Sequence, residues 1–268
     1  MISHAIILAG GDGTRLRPVT LEMPKPLVPV QGTPIATWLV EWFRHQGVER
    51  VTVIYPTRWK NAFVDWARRT AVELFEETEP MGTMGALVHQ IELGDESFFV
   101  TNGDELKGLD LAALETFHLE CTRGAANHAA TIALVSVPNP SEYGVAELEG
   151  HRIARFHEKP ANPPTNLISS GLYILNPSVL CEVDRTRRHL MFERDLFPRL
   201  AEEGRLAGCA LDGQWFDCGT MERWERAIIE CVPCREGTRA CRPRRTARCP
   251  PARRRKTPHP RVRYQRTR

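Results

Sequence analysis

Residues Ile6 to Ile35 read IILAGGDGTRLRPVTLEMPKPLVPVQGTPI, and the reading of the whole chain turns on them. Residues 4–9 are a mainly apolar run of strand length, ended by Gly10, Gly11 and Gly13. A buried strand followed by a glycine loop suits an α/β sheet, whose ligands sit beyond the carboxyl ends of its strands. Glycines let the backbone turn sharply and bring N–H groups close to an anion. A turn that only needs positive φ would use the same residues. Two familiar phosphate loops are excluded on detail: a Walker A loop needs Gly-Lys-Ser/Thr after its spacer, and a dinucleotide fingerprint needs a glycine where Leu16 stands. The continuation favours an anion. Arg15 follows the glycines, and Lys25 comes ten residues later between Pro24 and Pro26, which stiffen its backbone. Two cations beside a glycine nest suit a polyphosphate, whose transfer depends on neutralising phosphoryl oxygens.

Outward from this stretch, Ile35, Trp38, Leu39, Trp42 and Phe43 form the stripe of an amphipathic helix, with Gly47 placed to end it. Strands are expected at 51–55, 97–101 and 130–137, and helices at 62–71, 84–91 and 111–118. This alternation predicts an α/β fold with a Rossmann-like, mainly parallel sheet flanked by helices. Past residue 140 the pattern changes. Short strands at 145–148 and 153–156 flank Glu149-Gly150 as in a hairpin, a third follows at 172–175, and helices are expected at 195–203 and 220–230. The second half therefore carries a small antiparallel insertion.

The 268 residues are 42% hydrophobic and 26% charged, which excludes a disordered or collagen-like chain. No run is long enough to span a bilayer. The opening residues lack the basic segment of a signal peptide, so a cytoplasmic protein is expected. The net charge of +3 conceals a division: residues 234–268 hold fourteen Lys/Arg against Glu236 alone, whereas residues 1–233 are net acidic. The body, 1–233, is thus a poor nucleic-acid binder. The Arg/Pro/Cys-rich tail, 234–268, lacks any core-forming period and is expected to be disordered. Cys121, Cys181, Cys209 and Cys218 read as single buried thiols. Cys231 and Cys234 form one CxxC, but Cys241 and Cys249 supply no second close pair, so the zinc pattern is poor.

The stretch from Ile6 to Ile35 resembles the signature of the sugar-1-phosphate nucleotidylyltransferases, and the resemblance continues over roughly 1–230. It implies a Rossmann-like nucleotide-binding sheet with a sugar-binding portion. It also implies a reaction in which a nucleoside triphosphate and a sugar 1-phosphate give a nucleotide sugar and pyrophosphate, with Mg2+. By resemblance Leu8, Ala9, Gly10 and Gly11 meet base and ribose, Gly13, Thr14 and Arg15 hold the triphosphate, and Lys25 lies between the two substrates' phosphates. Glu79-Pro80-Met81-Gly82-Thr83 is similar to a second base-recognition loop, although Thr83 also suits a helix N-cap. In Thr101-Asn102-Gly103-Asp104, Asp104 is implied as metal ligand and sugar contact, in a tripeptide that alone reads as a turn. Trp215-Phe216-Asp217-Cys218-Gly219-Thr220 resembles W-x-D-I-G-T, so Asp217 is the second implied metal ligand; by itself it would suit the N-cap of the next helix. On the sugar side, Gly144 of Tyr143-Gly144-Val145 and Glu158 and Lys159 of Phe156-His157-Glu158-Lys159-Pro160 are implied contacts. Ser169 stands where many relatives carry asparagine.

The wording P-K-P-L-V-P-V and G-T-P-I is most similar to the mannose-1-phosphate guanylyltransferase-like branch. GTP and mannose 1-phosphate are therefore the implied substrates, with a uridylyl- or thymidylyltransferase for another sugar phosphate left open. A homo-oligomer also stays open. Two rivals are of other classes: a catalytically silent nucleotide-sugar sensor, against which Arg15, Lys25, Asp104 and Asp217 together argue, and a nucleic-acid binder acting through 234–268.

Overall fold

The apolar run becomes strand β1 (His4–Leu8), in which Ala5, Ile6 and Ile7 are fully buried. Strand side chains alternate faces, so Ala5 and Ile7 enter one core and Ile6 the other. The computed structural model describes residues 2–123 and 127–232. The tail expected at 234–268, with Cys234, Cys241 and Cys249, lies outside the described residues.

After β1 come a short helix α1 (Val19–Glu22), a ribbon of β2 (Pro29–Val30) and β3 (Thr33–Pro34), and helix α2 (Ile35–His45). Helix α2 buries Ile35, Leu39, Trp42 and Phe43, as their spacing predicts. There follow β4 (Arg50–Pro56), α3 (Lys60–Ala67), β5 (Glu73–Glu77), α4 (Gly85–His89), β6 (Phe98–Asn102), β7 (Glu105–Gly108) and α5 (Leu111–Arg123). The second half contains β8 (Ala130–Ser136), β9 (Gly144–Glu149), β10 (Arg152–Glu158), β11 (Leu167–Leu175), α6 (Phe197–Glu202), β12 (Leu206–Ala210), β13 (Gln214–Asp217) and α7 (Met221–Glu230).

Nine strands form one sheet in the order β5-β4-β1-β6-β11-β8-β12-β10-β9. The block β5-β4-β1-β6 is parallel throughout, as its alternation with helices requires. Strand β11 then enters antiparallel between β6 and β8, and only the β8–β12 pair in the second half is parallel. The sheet is therefore mixed, its parallel pairings being the block β5-β4-β1-β6 and the pair β8–β12. The expected hairpin forms between β9 and β10, but it extends this sheet instead of standing apart from it, and β9 also pairs with β11 at Val145–Ile168. Six strands escaped the sequence pattern: β5 carries three glutamates, β12 is LAGCA, β7 and β13 are four residues each, and β2 and β3 are two each. Of the four thiols expected to be buried, Cys121, Cys209 and Cys218 are; Cys181 is exposed at the end of a short turn after β11. Among the described residues no helix is long and apolar enough to cross a membrane.

Candidate active site

A cleft of about 450 Å³ opens where Leu8, Ile54 and Asn102 lie at or near the carboxyl ends of β1, β4 and β6. The glycine loop follows β1 into it. Gly13 has φ +57°, and a Cβ there would lie 2.8 Å from the Thr20 methyl carbon, so the turn needs glycine for both conformation and space. Thr20 Oγ1 donates to the Gly13 carbonyl at 2.7 Å, and Arg58 donates to the Gly11 carbonyl at 2.9 Å while pairing with Asp12. Leu8, Gly10, Gly11 and Arg15 line the cleft. Ala9, buried and donating its N–H to Ile54 O at 2.8 Å, does not line the cleft, nor do the half-buried Gly13 and the exposed Thr14.

Lys25 begins a tight turn between its two prolines and is 8% exposed. Its Nζ lies 2.5 Å from Asp104 Oδ2 and 3.8 Å from Asp217 Oδ1. Asp104 sits in the tight turn joining β6 to β7, so the tripeptide Asn-Gly-Asp is both a turn and part of the cleft wall. Asp217 ends β13, which pairs antiparallel with β7 so that Asp217 faces Glu105. The Cys218 N–H donates to Asp104 O at 3.2 Å. This ribbon brings together two carboxylates that are distant in sequence. Asp217 is not the cap of α7; Thr220 is, its Oγ1 accepting from the Arg223 N–H at 3.3 Å.

Burial alone would raise the Asp104 carboxyl and lower the Lys25 ammonium, but their attraction prevails, so Asp104 is held below and Lys25 above its ordinary value. Behind them burial raises Glu105 despite its pair with the fully buried Lys107 at 2.8 Å, and the Asp104 charge adds to the rise. Burial also pushes the Cys218 thiol up to about 12, which keeps it protonated beside the carboxylates.

The second wall comes from β9, β10 and β11, which supply Gly144, Glu158 and Ser169. Lys159, just past β10, also lines it, with its Nζ 3.2 Å from Glu158 Oε1. Strand β11 changes register between Ser169 and Tyr173, with Gly171 at φ +63° inside the irregularity. A Cβ on Gly171 would lie 2.5 Å from Asn102 Nδ2 and within 2.8 Å of both Glu105 carboxylate oxygens. Gly82 and Thr83 also line the cleft. Helix α4 starts at Gly85 without a side-chain cap, so the cap expected of Thr83 does not form. Thr83 Oγ1 instead donates to Glu193 Oε2 at 2.9 Å and accepts from the Phe192 N–H at 3.0 Å.

Among the cleft-side residues that sequence reasoning did not single out are Glu142, Tyr173, Glu193 and Arg223. Glu193 stands in a wide turn, Phe192–Leu196, whose last hydrogen bond runs from Phe197 N–H to Phe192 O. Burial raises its carboxyl, and Tyr173 OH lies 3.4 Å from it. The signal for Glu193 was a charge within the apolar run MFERDLF. Arg223 contacts Asp217 and Glu142. Its signal was a cation in the first turn of a helix, where the helix dipole favours anions.

A family model described as "Nucleotidyl transferase" matches residues 4–230. The chain belongs to this family. As a nucleotidyl transferase it has the Rossmann-like α/β sheet of its structural neighbours. A Bacillus anthracis structure aligns with a TM-score of 0.73 at 23% identity, covering 84% of this chain and 94% of that one. HddC from Yersinia pseudotuberculosis, crystallised with GMP-PN, aligns with a TM-score of 0.69 at 28% identity, covering 85% and 99%. Among curated relatives, a mannose-1-phosphate guanylyltransferase of Mycobacterium tuberculosis is 35% identical over 85% of this chain and 64% of its own length. A rice protein named probable mannose-1-phosphate guanylyltransferase 1 is 37% identical over 80% of this chain and 61% of its own. The chain thus spans about three fifths of the length of the curated relatives it matches.

Among the described residues no group of three or more His, Cys, Asp or Glu side chains is gathered to hold a metal ion. The nucleotidyl transferase cleft offers instead the pair Asp104 and Asp217. Two carboxylates, with the remaining positions left to water and substrate phosphates, are the donor set Mg2+ ordinarily takes. The residues fit that ion.

Proposed function

We propose that this nucleotidyl transferase condenses a nucleoside triphosphate with a sugar 1-phosphate to give a nucleotide sugar and pyrophosphate, and that GTP and mannose 1-phosphate are its substrates. The observation that carries the reading is the buried Lys25 ammonium, held between Asp104 and Asp217 at a cleft entered by the glycine loop. The guanylyltransferase relatives and the GMP-PN bound by HddC support the choice of guanine nucleotide and mannose.

In this reading an oxygen of the sugar phosphate attacks the α-phosphorus in line. A new P–O bond forms, the bond between the α-phosphorus and the bridging oxygen breaks, and its electron pair leaves with pyrophosphate. The attacking oxygen is already anionic at neutral pH and needs no general base, so positioning and charge stabilisation suffice. Arg15 and Lys25 offset negative charge on the phosphates. Leu8, Ala9, Gly10, Gly11, Gly82 and Thr83 serve the nucleoside, and Gly13 and Thr14 the triphosphate. Gly144, Glu158, Lys159 and Ser169 serve the sugar phosphate. Asp104 and Asp217 would hold Mg2+, which when bound supplies further positive charge to phosphoryl oxygens.

The test is a pyrophosphate-release screen of five nucleoside triphosphates against several sugar 1-phosphates, in which GTP with mannose 1-phosphate is expected to turn over fastest. Silence with every pair would defeat the activity, and preference for another pair would defeat the substrate assignment. A chiral α-thiotriphosphate should react with inversion; net retention would demand a covalent intermediate.

A further inference from the structure

At the edge of the cleft one carboxylate holds two guanidinium groups. Glu142 Oε2 accepts from Arg15 Nη1 at 2.9 Å, and Glu142 Oε1 lies 2.8 Å from Arg223 Nη2. Arg223 also donates through Nη1 to Asp217 Oδ2 at 2.7 Å, and its guanidinium carbon lies 5.3 Å from the centre of the Tyr143 ring. Arg15 and Glu142 are each about half exposed, whereas Arg223 is 25% exposed.

We propose that Glu142 is a built-in stand-in for a phosphate group, and that Arg223 joins Arg15 as the second guanidinium of a pyrophosphate-binding pair. Two oxygens of one anion shared between two guanidiniums is an arrangement a phosphate reproduces, with a larger charge and a further acceptor oxygen. Ion pairs this open to water are screened, so a phosphate can displace Glu142 easily. Arg223 would stay in place when Glu142 leaves, because Asp217 and the Tyr143 face hold it independently. Its position in the first turn of α7 points the same way, since a cation there opposes the helix dipole and depends on nearby anions. Arg15 belongs to the glycine loop, which assigns the phosphate to the triphosphate and its pyrophosphate product. The proposal rests on the phosphoryl-transfer reading of the cleft.

The experiment is calorimetric titration of the full chain, without Mg2+, with inorganic pyrophosphate and separately with mannose 1-phosphate. Glu142→Gln keeps the shape and removes the charge, and is expected to bind pyrophosphate about threefold tighter. Arg223→Ala is expected to bind it at least tenfold more weakly. The loss should persist in Arg223→Ala combined with Asp217→Asn, because the missing contact is with the ligand. Mannose 1-phosphate affinity should not follow these changes. Weaker or unchanged pyrophosphate binding in Glu142→Gln would overturn the proposal. So would unchanged binding in Arg223→Ala, affinity restored by Asp217→Asn, or effects confined to the sugar phosphate. These measurements need no turnover, so a silent pyrophosphate-release screen would defeat the proposed function while leaving the anion site to be judged by its own result.

Discussion

Along one wall of the cleft, Leu8, Ile54 and Asn102 stand at or near the ends of parallel strands, joined by Gly10, Gly11 and Arg15 of the glycine loop. Along the other, Gly144, Glu158, Ser169 and Tyr173 belong to antiparallel strands, and β11 shifts its register between Ser169 and Tyr173. The first wall is made by a chain that ends a strand and turns. The second is made by strands that continue, so its chemistry lies in side chains aimed by pairing. Lys25, beyond the glycine loop, is buried against this cleft by Asp104 and Asp217, which line it.

The sharpest test of the division is Lys25→Ala. It removes the central cation and leaves two facing carboxylates, and kcat should fall by roughly two to three orders of magnitude, the scale of one lost electrostatic stabiliser. A fall of less than tenfold would mean that the first wall does not carry the chemistry.

On the second wall, Gly171→Ala forces a Cβ against Asn102 and Glu105 from a left-handed backbone. It should cost about 3 kcal/mol, read as a lowered Tm. Gly150→Ala, in the β9–β10 turn at φ +67° with open space around it, should cost only about 1 kcal/mol. Equal losses would show that register at β11 is not the critical feature of this wall.

Glu158→Gln should raise KM for the sugar phosphate about tenfold, the weight of one charge-assisted hydrogen bond, and leave KM for the nucleotide unchanged. A rise in both would erase the separation between the walls.

The smallest effect concerns the stability of the parallel block. Burial, and secondarily Arg50, lowers the His4 pKa from 6.5 to about 4. A histidine held neutral in the fold contributes stability that is complete above its unfolded value and is lost as pH falls from about 6.5 towards 4. His4 is partly exposed, so the effect should be about 1 kcal/mol. His4→Asn should flatten the slope of stability against pH over that window. An unchanged slope would place the acid sensitivity elsewhere.

Legibility in the sequence follows the same line. The path from β1 through the glycine loop to Lys25 was readable, because a strand end, a loop and a stiffened lysine are local features within thirty residues. Helix α2 was readable for the same reason, its apolar stripe being its own evidence. Strands β5 and β12 were not, because ELFEE and LAGCA carry little alternation and become strands only by pairing with β4 and β8. The alternation predicted a mainly parallel sheet, yet β11 runs antiparallel between two parallel blocks, a choice made by long-range pairing. Thr83 and Asp217 had equally good local readings as helix caps, and the contacts that decided otherwise, Glu193 for Thr83 and Lys25 for Asp217, come from far along the chain.

By itself, then, the sequence determined the α/β class, the glycine loop and the cations set beside it, because periodicity, glycine freedom and charge act over short stretches. Only the tertiary structure decided that Asp217 joins Asp104 on one ammonium, through the pairing of β13 with β7. It alone set Glu142 between Arg15 and Arg223, and Glu193 against Thr83. Each of these contacts joins residues more than seventy positions apart, and no local propensity specifies such a meeting; the register of strands and the packing of helices on the sheet do.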